Sequence, residues 1–147
     1  MTTFRATSPV AQTTTSSYGN AVAIDGKATV NATFTTADEI VLDVPAGFRL
    51  QELLYRNGDL DSGAALQVRM GYRSTHPDQT MPDAPTYFLT GSTALQAAQN
   101  NWVPLTFEPV TFTEAAQIVL KPTTSAAGLA AATSVSFLAK GILVGIS

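Results

Sequence analysis

Leu66, Val68, Met70 and Tyr72 alternate with Gln67, Arg69, Gly71 and Arg73, and no other pattern in the chain limits its fold so sharply. Side chains repeat every two residues on a strand and every 3.6 on a helix, so this stretch is a strand with one buried face. The same period runs through much of the rest. Val22 and Ile24 lead into Asp25-Gly26, a strong hairpin dipeptide, after which Ala28, Val30, Ala32 and Phe34 alternate with Lys27, Thr29, Asn31 and Thr33. Residues 21 to 34 are therefore expected to form a hairpin. Ile40, Leu42 and Val44 continue the alternation to Pro45-Ala46-Gly47, where Pro removes a ladder donor and Gly permits a turn.

Phe48 and Leu50 share one parity and Leu53 and Tyr55 the other, which places a β-bulge near Gln51 and Glu52. Asn57 to Gly63 is a turn, and Ser74 to Pro85, with three prolines, reads as a long exposed loop ended by Tyr87, Phe88 and Leu89. Thr90 to Thr93 supplies hydroxyl caps before Ala94 to Gln99, so a short helix is expected there, stopped by Asn100-Asn101. Trp102 to Phe107 and Val110 to Phe112 contain or follow Pro104 and Pro109 and suit edge strands. Ile118 to Leu120 reads as a short strand that stops before Pro122. After the small-residue linker Thr123 to Thr133, Val135 and Phe137 face one way and Ile142, Val144 and Ile146 the other, so the last strand should bend at Lys140-Gly141. About eight strands with short turns and one helix predict an all-β fold, an antiparallel β-sandwich or jelly roll.

Two units are expected. Residues 1–20, rich in Thr and Ser with almost no apolar periodicity, cannot offset their own ordering entropy and read as an extended arm that orders on a neighbouring subunit. Phe4, Val10 and Tyr18 are its expected anchors. Residues 21–147 form the β domain, and a 147-residue chain with 45% hydrophobic residues can bury roughly 70% of its unfolded surface.

Composition then excludes classes of function. The eight basic residues are spread singly in a chain of net charge −3, so there is no electrostatic footprint for nucleic acid. The absence of cysteine removes disulfides and thiolate chemistry and fits a reducing cytoplasm. Residues 1–10 lack an apolar signal core, and the run from Val135 to Ile146 is too short to span a bilayer, so no membrane association is expected. With only 13% charged residues, about half the usual share, the polar surface is hydroxyl and amide, which suits packing against protein.

No catalytic set emerges. Asp59, Asp61 and Ser62 could offer oxygen ligands to calcium, but an EF-hand's further ligands are missing from Ala64 to Gly71, and turn formation explains them better. His76, the sole histidine, sits beside Ser74, Asp78 and Asp83 in the Pro-rich loop, where proximity in sequence says nothing about a triad. Asp38 and Glu39 are strand neighbours that point to opposite faces and cannot flank one glycosidic bond. Tyr55, Tyr72, Tyr87 and Trp102 could stack on sugars or simply pack the core. Neither an enzyme, a metal site nor a cofactor is expected.

The order of motifs resembles that of small capsid decoration, or cement, proteins of tailed bacteriophages. The similarity runs from about Val22 to Ile146: the turn at Val44 to Gly47, the Asp59 to Gly63 loop, Gly91 to Leu95, and the Ala/Gly/Thr-rich link from Thr123 leading to the terminal strand. The resemblance implies a jelly-roll-like virion protein, assembled in the host cytoplasm, that sits on the capsid exterior, bridges neighbouring major capsid subunits and stabilises the DNA-filled head. It also implies self-association, most simply a dimer. On that reading Phe4, Arg5, Val10 and Tyr18 form a capsid-contacting arm, and Tyr87 and Trp102 a further interface. A receptor- or glycan-binding domain of a phage tail or fibre is the alternative.

Overall fold

The structure, a computed structural model, describes residues 3–6 and 21–144. Ten strands follow one another: β1 (Thr3–Ala6), β2 (Ala21–Val30), β3 (Glu39–Val44), β4 (Phe48–Asn57), β5 (Gln67–Ser74), β6 (Ala84–Ser92), β7 (Gln99–Pro104), β8 (Val110–Phe112), β9 (Ala116–Thr124) and β10 (Thr133–Leu143). They build two sheets. The first has the order β1-β3-β9-β5-β6 and the second β2-β10-β4-β7, with β8 also paired to β4. Set β1 aside and take β7 and β8 as one interrupted strand, and the two orders are those of a jelly roll. Pairing is antiparallel throughout except for β1, which runs parallel to β3 from Thr3↔Glu39 to Ala6↔Leu42.

The inward faces of both sheets meet in one core, where Phe48, Phe112, Phe137, Leu42, Leu50 and Met70 are fully buried. Strict alternation makes this possible. Along β10, Val135, Phe137, Ala139 and Gly141 are buried and their neighbours are not. Two parity breaks in the sequence meet at a single irregularity. β4 exposes Gln51 and Glu52 in succession, and its pairing with β10 jumps from Lys140↔Glu52 to Gly141↔Leu50. Gln51 is thus the extra residue, as the parity of β4 predicts, and β10 keeps its own alternation through Gly141 instead of switching faces.

Several expectations need correction. Residues 21–30 are one strand, not a hairpin: Asp25 and Gly26 pair with Leu138 and Phe137 in the middle of β2. Gly26 serves close packing, since a Cβ there would lie 2.7 Å from Leu42 Cδ1 and 3.1 Å from Ala6. A two-residue turn would have put Ile24 on one face with Lys27, whereas Val22, Ile24, Ala28 and Val30 are buried on one unbroken face. The strand ends at Val30, four residues short of Phe34, which caps the core from the following loop and accepts the Ala126 N–H at its carbonyl, 2.9 Å.

Nor is there a helix among the described residues. Ala94 to Ala98 form a turn in which Ser92 Oγ accepts the Ala94 N–H and Thr93 O accepts the Gln96 N–H. Six residues offer too few bonds to offset helix nucleation, and Leu95, fully buried, anchors the turn instead. β9 does not stop at Leu120 either. It runs through Pro122 in the middle of the first sheet, because its pairing with β3 ends at Leu120↔Ile40 and Pro122 sits next to an offset in its pairing with β5. The missing N–H therefore costs no ladder bond toward β3. Finally, residues 3–6 are not an arm but an edge strand, with Ala6 buried; Val10 and Tyr18 lie outside the described residues.

Candidate functional site

Most conspicuous side chains of the sequence turn out to be spent on framework. Asp61, 3% exposed, accepts backbone N–H groups from Gly63, Ala65, Leu66 and Ala127 at 2.7–2.9 Å. Burial alone would raise its pKa, but these donors outweigh that and hold it down to about 2. Both oxygens are occupied, so the acidic turn is a staple between the 59–66 segment and the linker after β9. Asp59 accepts the Asp61 N–H at 3.1 Å and closes the same turn.

The loop between β5 and β6 is organised by Glu114, a residue that no sequence signal singled out. One of its carboxylate oxygens accepts from Thr80 N, Thr80 Oγ1 and Met81 N at 2.6–2.9 Å. Burial pushes its pKa up, but donors from Thr80, Met81 and Ser74 pull it to about 2. His76 is exposed, its Nδ1 accepting the Asp78 N–H at 3.0 Å and lying 3.7 Å from Glu114 Oε2. Ser74 Oγ accepts the backbone N–H of His76, not its ring, and Asp83 is bonded to Ser74 N and Gln79. No nucleophile–base pair forms in this loop.

A polar network crosses the outer face of the first sheet. Arg73 on β5 grips Glu39 on β3 with two bonds of 2.8 and 3.1 Å and reaches Gln117 on β9; Gln117 donates to Asp43, which also pairs with Arg5 on β1. Four strands are tied by one chain of charge-assisted bonds. Arg5 thus spends its charge within its own sheet, and Phe4 packs edge-on against Phe34 with ring centres 6.1 Å apart. Asp38 accepts from both N and Oγ1 of Thr35 and closes the turn before β3.

The aromatic residues separate into two groups. Tyr72, Tyr87, Phe88, Phe107 and Phe112 stack at centroid distances of 4.8–6.3 Å, bridging β6 to the β7–β8 segment, and Tyr87 donates its hydroxyl to Glu108 O at 2.7 Å. Tyr55 is buried. Trp102 stands apart: at 37% exposure it is the exposed large hydrophobic of the described residues, with the Arg56 guanidinium 4.9 Å above its ring. Sequence reasoning paired Tyr87 with Trp102, but they lie on different sheets.

Trp102 borders the outer face of the second sheet, and a cleft of about 270 Å³ opens there. Lys27 on β2 is registered opposite Ser136 on β10, and Ser136 opposite Arg56 on β4. Adjacent strands are about 4.8 Å apart, so the two cations flank a serine at roughly 10 Å backbone separation. The cleft's remaining lining is amide, hydroxyl and backbone, with no carboxylate. Among the described residues no group of three or more His, Asp or Glu side chains converges on a metal-sized site, and no helix is long and apolar enough to cross a membrane.

No protein-family model matches the chain, and neither does any curated protein. Among solved structures, a chain of the cyanophage Pam1 capsid asymmetric unit shares the fold with a TM-score of 0.64 at 21% identity, over 92% of this chain and 94% of that one. A chain in the capsid of Ralstonia phage GP4 does so with a TM-score of 0.65 at 16% identity, over 99% of both. At such identities the likeness is one of fold.

Proposed function

We propose that this chain is a structural protein of a tailed-phage virion that decorates the outside of the capsid, bridging neighbouring major capsid subunits and reinforcing the DNA-filled head. The observation that carries this reading is the end-to-end fold likeness, over 99% of both chains, to a chain of a phage capsid, repeated in the capsid of a second phage. Chemistry agrees with it. Asp38, Glu39, Asp61 and Glu114, the buried carboxylates of the described residues, each accept hydrogen bonds from Thr35, Arg73 or backbone N–H groups, and His76 faces no nucleophile. Many copies of a modest contact, repeated over a symmetric shell, hold together because release of one does not release its neighbours. The same symmetry favours self-association, a dimer on a two-fold axis being the simplest form. A glycan-binding tail domain fits less well, since Tyr55, Tyr72 and Tyr87 pack inward and leave Trp102 without a second ring to complete a platform.

The test is stoichiometry. Purified particles should contain the chain in fixed ratio to the major capsid protein, and add-back to particles lacking it should raise the temperature at which heads release DNA. A chain present in only a few copies per particle, or absent from heads, overturns the proposal.

A further inference from the structure

The proposed shell contact can be located by charge. One cross-strand row spans the outer face of the second sheet: Lys27 on β2, Ser136 on β10 and Arg56 on β4 in register, then Trp102 on β7 beneath the Arg56 guanidinium. Three of these four residues are exposed, and Ser136 is half-buried. The chain as a whole carries −3, yet the cleft along this row has two cations and no carboxylate among its lining residues. Neither cation is held by an internal ion pair among the described residues: Arg56 lies over Trp102, and the salt bridges of the fold involve other residues. Asn57, 4% exposed, also lines the cleft; its Nδ2 donates to Gly58 O, Leu95 O and Ala97 O, which fixes the amide, while its Oδ1 accepts nothing from the protein.

We infer that this row is a docking site for an acidic protein segment, seating a carboxylate between Lys27 and Arg56 and an apolar side chain on Trp102. The inference rests on the proposed capsid role and names the chemistry of the partner surface: an acidic loop of the shell protein. Arg and Trp are the side chains that most often carry interface energy, and a guanidinium stacked on an indole is already ordered before it binds. A phosphate backbone would call for a longer cationic track than two residues.

The experiment compares Lys27→Glu, Arg56→Glu and Trp102→Ala with wild type for occupancy of capsids that lack the chain, using Arg69→Glu on the other sheet as a charge-matched control and thermal unfolding to confirm the fold. Wild type and the control should fill the sites, with occupancy falling as salt rises. The three row variants should each bind about tenfold or more weakly. Row variants that fill the sites as wild type does overturn the inference and leave the capsid role standing. If wild type itself does not bind capsids, the capsid role falls. The row is then judged by amide NMR shifts on titration with an Asp/Glu-rich peptide carrying one leucine. Shifts confined to Lys27, Arg56, Ser136 and Trp102 uphold the site, and their absence overturns it. Row variants that lose self-association but keep shell binding overturn it in favour of a second copy as the occupant.

Discussion

The carboxylate of Asp61 accepts the backbone N–H of Ala127, 66 residues further along the chain, at 2.9 Å. With Gly63, Ala65 and Leu66 bonded to the same side chain, one residue ties the turn before β5 to the linker after β9. Asp61→Ala would strip an acceptor from four buried or part-buried donors at once. A single unmet buried donor costs about 1–3 kcal/mol, and water will re-solvate some of the four, so the expected loss is about 3–5 kcal/mol. Urea unfolding measures it; a loss below about 1 kcal/mol would remove Asp61 as the staple.

Acid should loosen the fold through the same residue and through Glu114. Both carboxyls sit at about 2 in the folded chain, against ordinary values of 3.8 and 4.5. A depressed folded pKa means that the ionised form favours folding, so this contribution is complete above the unfolded values and drains away as pH falls toward 2. The melting temperature should therefore be flat near neutrality and decline below pH 4.5. In Asp61→Asn the decline should be shallower, because one of the two linked protons is gone. An identical pH profile in that variant would sink the assignment.

Close backbone approach makes two glycines irreplaceable for a reason unrelated to turns. A Cβ on Gly71 would meet the Ala84 carbonyl oxygen at 2.0 Å, and one on Gly141 would meet that of Arg49 at 1.9 Å. Neither neighbour is a side chain that can rotate away, so the strands themselves would have to part. Gly71→Ala and Gly141→Ala should each cost about 3 kcal/mol. Gly91, with φ near +54° and nothing within 4 Å of a Cβ, should accept Asn, which tolerates that backbone region, for under about 1 kcal/mol.

What the sequence reveals and conceals follows from which interactions are local. The β5 alternation and the Gln51 bulge are legible because parity is a property of neighbouring residues. Asp25-Gly26 signals a hairpin only as an isolated dipeptide; the unbroken parity from Val22 to Val30 outweighs it, because ten residues paired along β10 make one strand. Pro122 misled because its missing N–H matters only where a neighbouring strand needs it, and β3 ends before reaching it. The Lys27–Ser136–Arg56 row was invisible for a deeper reason. Its members are far apart in sequence, and only the register of β2 and β4 on β10 brings them together, so the cations look scattered. Glu114 was hidden likewise, its partners lying 33 and 34 residues earlier.

The 94–98 turn can be told from a helix by two substitutions. Leu95 is fully buried, so Leu95→Ala should cost about 2–5 kcal/mol by emptying its site. Ala97 is exposed. In a helix interior, Ala97→Gly would cost about 1 kcal/mol; in the observed turn it should fall within about 0.5 kcal/mol of wild type. A loss of a full kilocalorie at Ala97 would restore the helical reading.

The N-terminal strand yields the last prediction and revises what a truncation should do. A pure arm could be removed without harm to the domain, but β1 extends the first sheet along β3, buries Ala6 at 4% exposure and lays Phe4 against Phe34. Its loss would uncover the edge of β3, where Ile40, Val41 and Leu42 are all buried, and would free Asp43 of Arg5. Exposed apolar edge strands pair with other chains. Deleting residues 1–6 should therefore lower the melting temperature by several degrees and promote aggregation. Phe4→Ala alone, at a half-buried site, should cost about 1–2 kcal/mol, or roughly 3–7 °C in a domain of this size. Arg5→Ala, removing an exposed pair with Asp43, should cost no more than about 0.5 kcal/mol. Calorimetry on the three variants separates the roles: a truncated chain that melts like wild type would return residues 3–6 to the status of an arm.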